Sequence, residues 1–363
     1  MRDIQVILPN LNRRFSGITA TVAAVAPLQA RTLGIAGVGY PLPVLLRRLG
    51  WCELFRLTSD PLPNGRPRIF HARRNIEMLA GLLLKRLFRR RLQLLFTSTA
   101  QRHHTRWTRY LCRQMDFLLS TSPRAASYLQ APPAVIIPHG VDLETYRPEP
   151  DRAAAWQLSG LPGSFGIGIL GRVRPQKGLR EFVEALCEIL PMAPEATAVI
   201  IGETTAPFAP FEKKLKRYIR DRGLEGRFCW LGKLPFDELP GWFRRLSLVA
   251  AVPHNEGFGL TCLEAMASGT AVVATRTGAF EMLLRDGVDG RLVPCADTGA
   301  LTAAFSDLLG DRSRLEVMGR SARARAEAEF SIEGEAAALN TQYECLLDVA
   351  GLGVVSEVNG NCL

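Results

Sequence analysis

The sequence predicts an α/β protein built from two doubly wound, parallel-sheet, Rossmann-like domains. Three observations carry this. Short apolar runs alternate along the chain with helix-length segments, the pattern of buried parallel strands joined by crossover helices. At 363 residues the chain exceeds one ordinary core and suits two domains of about 150–180 residues each. A Pro- and Gly-rich break, Arg147-Pro-Glu-Pro-Asp151 and then Leu161-Pro-Gly-Ser164, lies near the middle. It sets an expected division into residues 1–160, residues 161–330, and a C-terminal helix and tail over 331–363.

The elements follow from the same pattern. Strands are expected at residues 4–8, 94–97, 135–137, 167–170, 198–201, 228–231, 248–252 and 271–274. Helices are expected at 18–28, 76–88, 179–190, 211–222, 239–246 and 260–267. Residues 331–349 read as an amphipathic helix that returns to the first domain, and the last dozen residues as a loose tail.

Composition narrows the class. A hydrophobic share of 47% with 22% charged residues describes a folded chain and argues against disorder. The longest uncharged runs, 15–30 and 32–46, contain Gly, Pro, Thr or Gln and fall short of a membrane span. Asp3 beside Arg2, and the short apolar run at 4–8, do not make a signal peptide. Eight scattered cysteines without a Cys-x-x-Cys suit a reducing cytosol better than a disulfide framework or zinc site. Residues 1–160 hold 23 Lys/Arg against 9 Asp/Glu, while the remainder is slightly acidic. The basic half favours an anionic partner over a merely solvated face.

Three motifs carry chemistry. The strongest is Glu256-Gly-Phe-Gly-Leu-Thr-Cys-Leu-Glu264, which runs from a strand through a Gly-rich loop into a helix. Gly257 and Gly259 allow close backbone approach, and the amides of Phe258, Leu260 and Thr261 open a helix N-terminus suited to phosphate. Glu256 and Glu264 can both face one ligand as hydroxyl acceptors; a solvated helix face is the plain alternative for Glu264. The second motif is Gly171-Arg172-Val-Arg-Pro-Gln-Lys177-Gly178, also between strand and helix. Arg172 and Lys177 there suit a pyrophosphate. The third is Asn10-Leu-Asn-Arg-Arg-Phe-Ser-Gly17, after the first strand. Gly17 offers a close approach to the same phosphates.

Together these motifs resemble glycosyltransferase family 4, over nearly the whole chain. Ile137-Pro-His-Gly-Val-Asp142, Gly278-Ala-Phe-Glu281 and Asp286-Gly-Val-Asp-Gly-Arg-Leu-Val-Pro294 are similar to further family segments. The first domain looks like alphaproteobacterial lipopolysaccharide core mannosyltransferases in three stretches. These are Leu8 to Thr19, His71-Ala-Arg-Arg-Asn-Ile-Glu-Met-Leu-Ala-Gly81, and Phe96 to Thr105. The resemblance implies the GT-B fold, two domains facing across a cleft, and sugar transfer with retention of configuration. It implies a GDP-mannose donor and an acceptor of Kdo on lipid A, in a cytoplasmic enzyme peripheral to the inner membrane.

By the same resemblance Glu256 touches the donor sugar, Glu264 the ribose, and Arg172 and Lys177 the diphosphate. No cofactor or metal is implied; the chain has no Asp-x-Asp, and its cations stand in for an ion. The family's second histidine of His-x-His is here Arg73, so no histidine role is carried over. Arg73 and Arg74 are expected either to grip an acidic acceptor or to form surface ion pairs. His254 stands where the family carries Ser. The run Lys85-Arg-Leu-Phe-Arg-Arg-Arg91 is expected to contact acidic lipid. Two alternatives stay open: another donor such as UDP-glucose with a different acceptor, and a non-enzymatic protein binding anionic lipid or nucleic acid. The first is favoured over the second, and nucleic acid is not an expected partner, because a basic binding protein has no need of the Glu256/Glu264 loop.

Overall fold

The structure is a computed structural model that describes residues 4–13, 16–42 and 44–349. The expected loose tail, Cys362, and Arg14 and Phe15 of the third motif lie outside the described residues. The chain packs as two units. The first takes the chain up to Gly140 and again from Ile332, and the second runs from Val141 to Ser331.

This division falls well before the expected 160/161, and helix Arg152–Gln157 explains why. Its Trp156 is buried, and the indole N–H donates to the Gly163 carbonyl at 3.0 Å. Arg152 donates to the carbonyls of Arg244 and Gly269, at 3.1 and 2.9 Å. The Pro/Gly-rich break is therefore a loop within the second unit, not a linker.

In the first unit seven parallel strands form one sheet. They are β1 (Val6–Asn10), β2 (Ile35–Gly39), β3 (Arg48–Leu49), β4 (Arg68–Ala72), β5 (Leu92–Ser98), β6 (Phe117–Ser120) and β7 (Val135–Ile136). The spatial order is β3-β2-β1-β4-β5-β6-β7. Strands β2, β3, β4 and β6 were not expected from the apolar runs. β4 shows why: all five of its residues are buried, yet two are Arg68 and His71. Arg68 Nε donates to the Ile4 carbonyl at 2.9 Å, so its polar group is satisfied within the sheet. Helix Ile332–Val349 returns to this unit as expected, and Ile332, Ala336, Leu339, Tyr343 and Leu346 join the core formed by β1 and helix Gly17–Gln29.

Six parallel strands make the second sheet: β8 (Phe165–Leu170), β9 (Ala196–Ile201), β10 (Phe228–Gly232), β11 (Leu248–Ala251), β12 (Ala271–Thr275) and β13 (Arg291–Val293). Their order is β10-β9-β8-β11-β12-β13. Helices cover both faces. On one, Phe182 of helix Leu179–Ile189 meets Phe305 of helix Thr298–Gly310 edge-on. On the other, Cys262, Leu263 and Met266 of helix Leu260–Ala267 are fully buried.

Each sheet has a point where the strand order reverses, between β1 and β4 in the first and between β8 and β11 in the second. In open α/β sheets, ligands bind beyond the carboxyl ends of the strands at such a point. All three sequence motifs follow these strands.

Candidate active site

In the second unit the chain leaves β8 through Gly171 and Arg172, makes a tight turn at Pro175–Lys177, and enters helix Leu179–Ile189. Buried Val173 pins the turn, its N–H donating to the Glu203 carbonyl beyond β9 at 3.0 Å. Gly178 adopts φ +73°, and a Cβ there would stand 1.9 Å from the Val252 carbonyl oxygen. Only glycine lets the turn rest against the end of β11. The chain beyond β11 returns the contact: His254 N–H donates to the Gln176 carbonyl at 2.9 Å, and its ring Nε2 lies 3.1 Å from Glu181 Oε1. This explains His254 as a tie between the two loops.

The result is an ion pair across the switch point. Lys177 Nζ lies 2.5 Å from Glu256 Oε2, and Gly257 N–H donates to Glu256 Oε1 at 2.9 Å. Arg172 is exposed and makes no hydrogen bond or ion pair with a described residue.

Beyond Glu256 the loop tucks inward. Phe258 is buried, and Ala279 N–H donates to its carbonyl at 3.2 Å. Gly259 has φ +104°, with the Phe280 ring where a Cβ would go. That packing fixes the start of helix Leu260–Ala267. The N–H groups of Leu260 and Thr261 have no acceptor among the described residues. Two such amides, past the same sheet end that Arg172 and Lys177 follow, suit an anion. Glu264 follows in the helix; its Oε1 accepts from the Tyr146 hydroxyl at 3.1 Å. Burial pushes the Glu264 carboxyl up to about 7, opposed by that hydrogen bond. Tyr146 was missed by the motif reading, because it lies 118 positions away in an otherwise ordinary segment.

In the first unit, Gly17 is exposed at the start of helix Gly17–Gln29, with no atom within 4 Å of where a side chain would begin. Nothing in the surrounding fold demands glycine there. Arg74 behaves differently from the expected acceptor grip. Its Nη1 donates to Glu77 at 2.7 Å and Asn10 at 3.3 Å, and its Nη2 to Ser16 at 3.1 Å and Thr19 at 2.8 Å. The guanidinium is consumed in holding the loop after β1 to the loop after β4. Glu77, fully buried, also accepts from Arg73 N–H at 2.8 Å.

Arg73 is partly buried, and its side chain hydrogen-bonds the Tyr343 hydroxyl within a buried polar cluster. His71 is fully buried, with Nδ1 hydrogen-bonded to the Tyr343 hydroxyl at 2.6 Å and Nε2 to Thr97 at 2.7 Å. Burial, then the Arg73 charge, hold its imidazole well below the ordinary 6.5, so the ring is neutral. His139 likewise serves structure: Glu335 accepts from the Gly140 N–H and pairs with His139 Nδ1, both at 2.8 Å.

The predicted residues thus gather in two sets, Gly17, Arg73 and Arg74 in the first unit and the rest in the second. Among the described residues no three His, Cys, Asp or Glu side chains assemble as a metal site, and no helix is long and apolar enough to cross a membrane.

Residues 162–325 match the family described as "Glycosyl transferases group 1". The lipopolysaccharide core biosynthesis mannosyltransferase LpcC of Rhizobium leguminosarum bv. viciae is 43% identical, over 96% of this chain and 98% of its own length. LpsB of Rhizobium meliloti (strain 1021), named for the same activity, is 40% identical over 96% and 99%. Among solved structures, the C-terminal domain of a group 1 glycosyltransferase (LpcC) from Francisella tularensis is 35% identical, covering 53% of this chain and 99% of its own, with a TM-score of 0.52. The Anabaena protein HepE, crystallised with UDP, covers 94% of this chain and 100% of its own with a TM-score of 0.80 at 19% identity, a likeness of fold. The two parallel-sheet units are those of the GT-B fold, and the chain belongs to the group 1 glycosyltransferases.

Proposed function

We propose that this enzyme transfers mannose from GDP-mannose to the Kdo–lipid A inner core of lipopolysaccharide, with retention of configuration. The names of two relatives at 43% and 40% identity over nearly their full length support the sugar and the product. The observation that carries the chemistry is the meeting of Lys177 and Glu256 at the β8/β11 switch point, past the same sheet end from which exposed Arg172 and helix Leu260–Ala267 follow.

In this reading Glu264 accepts the ribose hydroxyls and Glu256 the sugar hydroxyls. Arg172, Lys177 and the loop from Gly257 to Thr261 hold the diphosphate. The acceptor oxygen bonds to the anomeric carbon on the face the diphosphate leaves. The carbon–oxygen bond to phosphate breaks, and the acceptor proton passes to a phosphate oxygen. The cations oppose charge growing on the leaving group, where electrostatic catalysis acts. Neither a metal nor a further cofactor takes part in this reading. Gly17 lets backbone approach the donor, and Arg73 binds an acceptor carboxylate or phosphate. Arg74 positions rather than binds. The protein works at the cytoplasmic face of an acidic inner membrane.

The test supplies purified enzyme with Kdo-bearing lipid A and, separately, labelled GDP-mannose and UDP-glucose. Label moving to lipid from GDP-mannose alone is the expected result. Transfer from UDP-glucose alone would replace the donor, and no transfer from either would overturn the proposal.

A further inference from the structure

Two neighbouring helices of the first unit leave apolar side chains in solvent. In helix Asn75–Arg86, Met78, Leu82 and Leu84 are buried, whereas Ile76 and Leu83, with Leu87 capping the end, are 54%, 44% and 67% exposed. Their spacing puts the three on one helix face. In helix Arg106–Cys112, Thr108, Leu111 and Cys112 are buried, while Trp107 and Tyr110 stand out at 50% and 46% with rings stacked 5.7 Å apart. Asn75 Nδ2 donates to Thr108 Oγ1 at 2.8 Å and holds the starts of the two helices together.

The charge around this face is mostly positive, the exception being Asp116, which pairs with Lys85 at 2.6 Å. From Asn75 to Arg113 the sequence holds nine Lys/Arg and a single acid, Glu77. Glu77 is buried and paired with Arg74, so it offers the surface nothing. Arg86, Arg89, Arg91, Arg102, Arg106 and Arg113 are exposed.

We propose that this two-helix face docks on an acidic lipid bilayer, with Trp107, Tyr110, Ile76, Leu83 and Leu87 entering the headgroup boundary and the arginines binding lipid phosphates. Stacked Trp and Tyr favour the membrane interface, and guanidinium pairs with phosphate bidentately. Exposed aliphatic side chains gain nothing from a nucleic-acid backbone. A second copy of the chain would oppose like charge to like. The inference rests on the reading of the acceptor as a membrane lipid and extends contact beyond the Lys85–Arg91 run to a face that inserts.

The experiment is co-sedimentation of the full chain with vesicles of phosphatidylglycerol in phosphatidylcholine, against phosphatidylcholine alone. Wild type binds the acidic vesicles only. Trp107→Ser with Tyr110→Ser, Leu83→Ser with Leu87→Ser, and Arg89→Glu with Arg91→Glu each weaken binding about tenfold or more. Unchanged melting temperatures in the three variants show that the fold is intact. Absence of binding to acidic vesicles, or binding that survives the aromatic pair's removal, would overturn the proposal. So would a dimer in solution that the aromatic variant dissolves. Transfer to detergent-dispersed acceptor reports separately: transfer without vesicle binding sinks the docking face alone, and vesicle binding without transfer sinks the proposed reaction alone.

Discussion

The two switch points use similar residues to opposite ends. At the end of β8 and β11, Arg172 has no partner among the described residues, and among them Lys177 pairs with Glu256 alone, at a partly exposed site. At the end of β1 and β4, Arg74 meets four internal acceptors, Glu77 is fully buried, and His71 has both ring nitrogens bonded. The first arrangement leaves charge available to a ligand; the second spends charge on holding loops. An arginine after a strand is therefore not a site until its donors have been accounted for.

Substitutions sharpen this contrast. Glu256→Ala and Lys177→Ala are expected to lower turnover about 10²–10³-fold with the melting temperature unchanged, because a half-exposed ion pair contributes little to stability. Steady-state rates and thermal unfolding on the same samples check both halves, and turnover near wild type in both variants would erase the distinction. Arg74→Ala is expected to cost about 3 kcal/mol of stability in urea unfolding, since it strands the Glu77 carboxylate in the interior. Arg172→Ala should leave the urea midpoint where it is. Equal stability losses in the two arginine variants would break the comparison.

Proton linkage gives a smaller effect. The native His71 imidazole sits well below the ordinary 6.5, so the unfolded chain binds the extra proton as pH falls below that value. Stability then declines by at most about 1.4 kcal/mol per pH unit from this group. Glu264 acts with the opposite sign, since its native carboxyl at about 7 takes up a proton before the unfolded one at 4.5 does. The His71 contribution is read as the difference between wild type and His71→Asn across pH 7.5 to about 5.5. Parallel curves would show that the ring is not held neutral. Smallest is Tyr146→Phe. It removes the hydrogen bond that lowers the Glu264 carboxyl, so the pH at which nucleotide affinity rises should move upward by a fraction of a unit. A titration of GDP affinity against pH measures that shift.

Much of the second unit was legible in the sequence because its strands are continuous apolar runs and its loops keep local motifs. Gly178 and Gly259 mark the close approaches at Val252 and Phe280, where glycine is the residue type that fits. The first unit was less legible. β4 hides in the sequence because Arg68 and His71 are polar yet buried, and their partners, Ile4 and Tyr343, lie 64 and 272 positions away. Local periodicity carries no trace of such pairings. Tyr146 on Glu264 and His254 on Glu181 escaped for the same reason, being chosen by contact rather than by spacing.

In the proposed mechanism the β8/β11 loops divide one ligand between two glutamates, the ribose to Glu264 and the sugar to Glu256. Calorimetric titration of GDP, which carries ribose and diphosphate but no sugar, tests it most directly. Glu264→Ala is expected to weaken GDP binding about tenfold or more, whereas Glu256→Ala is expected to bind GDP as tightly as wild type or tighter, having released Lys177. Wild-type affinity in the Glu264 variant, with affinity lost in the Glu256 variant, would contradict it.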